Sequence, residues 1–204
     1  RAVFFPPPGQ LNRLGIDVHV EKTTALESVD RVLLYLTGLV RVPKLDTIGW
    51  VPGGVGDHLT SIGGVLDGSG SQMSATAWIA SGATASYGTV SEPCSHPQKF
   101  PFGQVLLLQY VQGSSVIEAY WKSVAWPQQG VFIGEPLARP FGTRTLRDAE
   151  GWWVESHSAT GRRAVVEVAP SVVGPYRTVG FLSLPAGYAK QKLLVLSAGA
   201  VRVR

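Results

Sequence analysis

The apolar residues of this chain come in short runs cut by glycine and proline. Val32–Leu36 and Val105–Leu108 are among the longest. A run of that length makes a strand or part of a buried helix, whereas a membrane-spanning helix needs about 20 apolar residues. The fold must therefore be assembled from many small elements joined by tight turns, as the 24 Gly and 14 Pro also require. Hydrophobic residues make up 45% of the 204 positions and charged residues 16%, enough to build a packed core rather than a disordered tail. A single cysteine excludes any internal disulfide and any zinc site made of several thiolates.

Two grammars follow one another along the chain. The first twenty residues read as loop around Pro6-Pro7-Pro8-Gly9. Arg31–Gly38 then carries an unbroken apolar stretch, the pattern of a strand buried on both faces of a parallel sheet. Thr47–Val51, Ala83–Val90 and Gly130–Gly134 are further strand candidates. Ser71–Ser81, Val105–Val111 and Ser115–Ala125 are helical, the last opening on a Ser115/Glu118 capping box and ending at Pro127. This alternation predicts an α/β layer, mostly parallel, over residues 1–141. Beyond it, Trp152–Glu155, Ala164–Val168, Thr178–Leu184, Lys192–Leu196 and Ala200–Val203 predict a small antiparallel, sandwich-like β module over residues 142–204.

Charge divides in the same way. Residues 1–138 hold 8 Lys/Arg against 10 Asp/Glu, and residues 139–204 hold 10 against 4. A basic β module suits an acidic partner or a solvated, arginine-rich strand face. No RNA-binding signature, Cys/His finger or basic helix accompanies it, so no specific nucleic acid is expected.

The densest polar cluster is split between two loops, Gly53–Ser61 with Asp57-His58, and Glu92–Pro97 with Cys94 and His96. Each follows a predicted strand, and ligands of open α/β sheets sit at the carboxyl ends of strands. Were the loops adjacent, His58 could take the proton of Cys94, with Asp57 or Glu92 orienting the imidazole and His96 as a second base. The other reading of the same residues is a buried, inert thiol beside a hydrogen-bonded structural histidine. Cys94-x-His96 matches no standard zinc spacing, and neither a metal nor a cofactor is expected. Glu135, after the Gly130–Gly134 strand, could reach the same edge, though a turn role suits it better. Trp152-Trp153 puts neighbouring indoles on opposite faces of one strand.

Several motifs here resemble an uncharacterised bacterial family found in genomes that carry exosortase, the membrane enzyme that sorts exported proteins with a C-terminal tail. They are Leu34–Gly38, Gly56–Ser61, Gly82–Cys94, Lys99–Pro101, Ile117–Val124 and Gly134–Ala138. Members of that family are longer at the N-terminus, which implies that this chain is the latter part of one, working outside the cytoplasm. A more distant resemblance is to gingipain-type peptidases of the caspase-like fold. There one strand ends in Gly-His-Gly, the next in the nucleophilic Cys, and a late strand in Gly-Asp-Pro, before an immunoglobulin-like module. Here Leu36-Thr-Gly38 stands at the first position, Asp57–Ser61 at the second, and Gly134-Glu-Pro136 resembles the third, so both catalytic positions depart from the pattern.

The expectation is therefore the C-terminal part of a caspase-like α/β domain followed by a β module. It would serve as a non-catalytic surface or assembly protein, or alternatively as a Cys-dependent hydrolase or transpeptidase through Cys94, His58 and Asp57. The apolar strand Arg31–Leu36 would leave an open sheet edge. A protein partner, a second subunit or the protein's own N-terminal half is expected along it, in keeping with a start at Arg1 that has no initiator Met.

Overall fold

The structure, a computed structural model, describes residues 16–91, 96–158, 160–195 and 197–204. The chain divides after Pro140 into two compact units. The first is an α/β layer built on a four-stranded sheet in the order β1 (Val32–Leu36), β2 (Trp50–Asp57), β3 (Ala85–Thr89), β4 (Gly130–Gly134). The first three strands run parallel, while β4 pairs antiparallel with β3 through Ala85–Gly134 to Thr89–Gly130. The layer is therefore only partly parallel, because the short turn at 127–129 reverses the chain after α3 instead of carrying it back across the sheet.

This reversal decides the place of Glu135. It leaves β4 at the edge where β3 begins, opposite the carboxyl ends of β2 and β3, and so cannot reach Asp57. Its amide donates to the Thr84 carbonyl and its carboxylate accepts from the Leu137 amide, which is a turn role.

Among the described residues three α-helices accompany the sheet: α1 (Thr76–Ala80), α2 (Gly103–Val111) and α3 (Val116–Ser123). The capping box of α3 forms, with the Ser115 amide donating to the Glu118 carboxylate at 2.8 Å. The helix expected over Ser71–Ser81 shrinks to α1. Met73 lies outside it, its sulfur accepting from the Val42 amide and its carbonyl engaged by His58.

The strand β2 runs through what reads in the sequence as a glycine loop. Its glycines are there for close approach rather than for flexibility. A Cβ on Gly56 would fall inside the contact surface of the Trp78 indole, which lies fully buried against that strand. Trp78 anchors a core of Tyr35, Val42, Leu45, Ile48, Met73 and Ala83 on this face of the sheet. On β1 only Tyr35 is buried, so the strand expected to be covered on both faces is half-covered instead, and it is an outer strand of the sheet among the described residues.

The second unit is all β. One antiparallel sheet is β5 (Thr143–Asp148), β6 (Gly151–Ser158), β9 (Gly187–Leu193), in that order. The other has the order β10 (Ala200–Val203), β7 (Arg162–Ala169), β8 (Arg177–Leu184), also antiparallel. Val154 of β6, Ala164, Val166 and Val168 of β7, Leu184, Leu193 and Val201 form the core between them. Trp152 packs against this core. Trp153, on the outer face, lies beneath the ammonium groups of Lys190 and Lys192, 5.1 and 5.6 Å from its ring. Neighbouring indoles on one strand thus find different cover, Trp152 the core together with the Arg147 guanidinium and Trp153 two lysines.

Candidate functional site

The carboxyl end of β2 gathers the polar residues of the first unit. Consecutive strand residues point to opposite faces, and Asp57 and His58 do so at the point where β2 ends. Both are almost wholly buried, at 2% and 1% exposure.

The imidazole of His58 is held at both nitrogens. The Trp78 indole N–H donates to Nδ1 at 3.0 Å, and Nε2 lies 2.6 Å from the Met73 carbonyl oxygen. A carbonyl can only accept, so Nε2 carries the proton and Nδ1 is the acceptor, which fixes the neutral tautomer. Burial lowers the pKa of this histidine, with the Met73 bond opposing, so the ring stays uncharged. A base must offer an open nitrogen lone pair, and the indole occupies the one His58 has.

Asp57 does not orient that ring. Its Oδ1 accepts from the Leu59 amide at 3.0 Å, and Oδ2 has no partner among the described residues. With Val55 beside Ala85, Asp57 falls beside Tyr87 on the next strand. The Tyr87 ring stacks on Tyr120 of α3 at 5.9 Å, and neither hydroxyl has a partner among the described residues. Burial pushes the Asp57 carboxyl up to about 8, against the pull of the Leu59 and His58 amides. Desolvation first, and the Asp57 charge second, raise both Tyr87 and Tyr120. Asp57 is thus a neutral acid at pH 7, set among two buried phenols.

The residues just beyond the strands are tied together. Thr89, at the end of β3, donates its hydroxyl to the Thr60 carbonyl at 2.6 Å and accepts the Gly64 amide at its own carbonyl. Lys99, buried at 2% exposure, donates to the Ser91 carbonyl. Glu92 and Cys94 lie outside the described residues. His96 is exposed, its ring 5.4 Å from that of Trp126. Among the described residues no three His, Cys, Asp or Glu side chains gather as metal ligands would.

Sequence reasoning points to Asp57 and His58 but misses their partners. Trp78, Met73, Tyr87 and Tyr120 look like ordinary core residues. The available signal is the glycine at 56: a strand residue without a side chain, next to an acid and a histidine, marks where an indole can reach the imidazole. No family model, no curated protein and no solved structure matches the chain. No helix among the described residues is long and apolar enough to cross a membrane.

Proposed function

We propose that this protein is a non-catalytic surface or assembly protein of the extracytoplasmic space, using the latter part of a caspase-like scaffold as a framework. One observation carries the non-catalytic part: His58, the first base expected for a Cys94 thiolate, already has both nitrogens bound, to Trp78 and Met73. Asp57 stands where the resemblance to gingipain-type peptidases puts the nucleophile, and it is a buried neutral acid rather than an ionised group. Parallel neighbours β1 and β2, ending in Leu36-Thr37-Gly38 and Asp57-His58, support the caspase-like comparison. The resemblance to the exosortase-associated family supports the extracytoplasmic location.

The half-covered edge of β1 is where a protein partner, a second subunit or the N-terminal half of a longer chain would add a strand. The experiment is alkylation of Cys94 by iodoacetamide at pH 7 on the folded chain, with hydrolysis of a peptide library followed in parallel. An unactivated thiol, alkylated no faster than a free cysteine peptide, and no hydrolysis are the expected results. Alkylation much faster than that, abolished by His58→Ala in a variant that still folds, would restore the hydrolase.

A further inference from the structure

Four of the nine lysines and arginines in residues 141–204 pair with a carboxylate. Arg144 pairs with Glu155, Lys192 with Glu150, and Arg202 and Arg204 both grip Glu167. Arg147 and Arg177 meet no carboxylate among the described residues, and both line one cleft of about 750 Å³ within the module. No acidic side chain lines that cleft. Both arginines are exposed, so the charge they present to it is uncompensated.

The cleft is also firm. The Arg147 guanidinium lies 5.4 Å from the Trp152 ring, which limits where it can swing. Tyr176, on the cleft wall, donates its hydroxyl to the Val172 carbonyl at 3.1 Å and carries the Arg202 guanidinium at 4.0 Å from its ring. Arg202 is itself fixed on Glu167. Pro170 and Pro175 add two more rigid rings to the wall, and Ser197 a hydroxyl.

Two guanidinium forks facing one volume match two acid groups. The occupant is not an added strand, because the lining comes from strand ends: Arg147 late in β5, Ala169 ending β7, Arg177 opening β8 and Gly199 just before β10. Strand addition needs the length of a free edge. The rings of Tyr176, Pro170 and Pro175 line the same cleft as the two arginines, and ring faces beside charge-binding groups suit instead a pyranose, with its C–H face on a ring and its carboxylate on a guanidinium.

We propose that this cleft binds an acidic oligosaccharide, Arg147 and Arg177 each taking the carboxylate of one of two uronate units. This site belongs to the β module alone and stands or falls independently of the caspase-like reading. The test is titration of the full chain with digalacturonate, followed by calorimetry and by chemical shifts of the Trp152 and Tyr176 rings. Maltose serves as the neutral control and the dipeptide Glu-Glu as the acidic peptide control. Digalacturonate should bind and move those resonances, and maltose should not. Arg147→Gln and Arg177→Gln should each weaken binding by about tenfold, the worth of one charge-assisted bidentate contact. Arg163→Gln, at an arginine outside the cleft, should leave binding unchanged. Thermal unfolding of each ligand-free variant shows that the fold is retained. No binding of digalacturonate, equal or tighter binding of Glu-Glu, or binding indifferent to both cleft substitutions would overturn the proposal.

Discussion

Asp57 keeps its proton because burial outweighs the groups near it that favour ionisation. Two backbone amides are not enough to offset complete burial, and the phenols of Tyr87 and Tyr120 face it with raised pKa values of their own. The ordinary carboxyl titrates at 3.8 and this one at about 8. Between those values the unfolded chain has released a proton that the folded chain retains. Stability of the α/β unit therefore falls as pH rises through that window and levels off above it. Asp57→Asn, neutral at every pH, should remove the fall. Below pH 7 it should keep only the opposite slope of His58, whose lowered pKa adds stability as pH rises. From pH 7 to pH 9 its urea midpoint should not decline while that of the parent does. A parent midpoint that is flat or rising over the same range would show that the carboxyl is ionised in the folded state.

At the scale of elements, β2 is held by what it lacks. Gly56→Ala pushes a methyl into the Trp78 ring, and the ring cannot retreat without breaking its bond to His58 and its packing on Tyr35 and Trp50. Overpacking of this kind costs about 1–3 kcal/mol, and the lost imidazole–indole bond adds to it. Chemical denaturation should place Gly56→Ala at or above the upper end of that range, and a change below about 0.5 kcal/mol would mean that the contact yields freely. The same strand shows where the sequence is legible. Val32–Leu36, Ala85–Thr89 and Gly130–Gly134 announce themselves by composition, and Ser115 with Glu118 marks the start of α3. β2 hides because its glycines read as a loop until the indole that fills their space is known. β5, Thr-Arg-Thr-Leu-Arg-Asp, hides because one apolar residue in six gives no pattern; pairing with β6 makes it a strand. The direction of β4 depends on how a turn reverses the chain, which periodicity does not encode. Asp57 and His58 stand out as polar residues in a glycine-rich stretch, while the bonds that define their chemistry come from residues 15 and 20 positions away from His58.

Taken as a whole, the molecule joins two units with opposite responses to acid. In the β module, the Tyr188 hydroxyl and Arg144 hold Glu155 below its ordinary range, and Arg202 and Arg204 do the same for Glu167. Carboxylates with depressed pKa values contribute stability above their unfolded value, and that contribution is lost as pH falls through the folded one. The α/β unit has such groups too, in Asp67 and Glu118, but these are exposed and the buried Asp57 outweighs them. Scanning calorimetry should therefore resolve two transitions. The α/β transition moves down as pH rises from 5 to 8.5 while the β transition holds, and the β transition falls only as pH drops below 4.5. Asp57→Asn removes the decline of the α/β transition. Two transitions that shift together would contradict this division.

The bond from the Trp78 indole to His58 also turns one proton into a clock. Trp78 is fully buried, its N–H points at an imidazole that is itself enclosed, and a glycine strand lies across its ring. Water reaches that proton only when β2 and α1 part, so its exchange with deuterium follows the opening of the whole α/β layer rather than local breathing. The tryptophan that seals the histidine thus records how often the seal is broken.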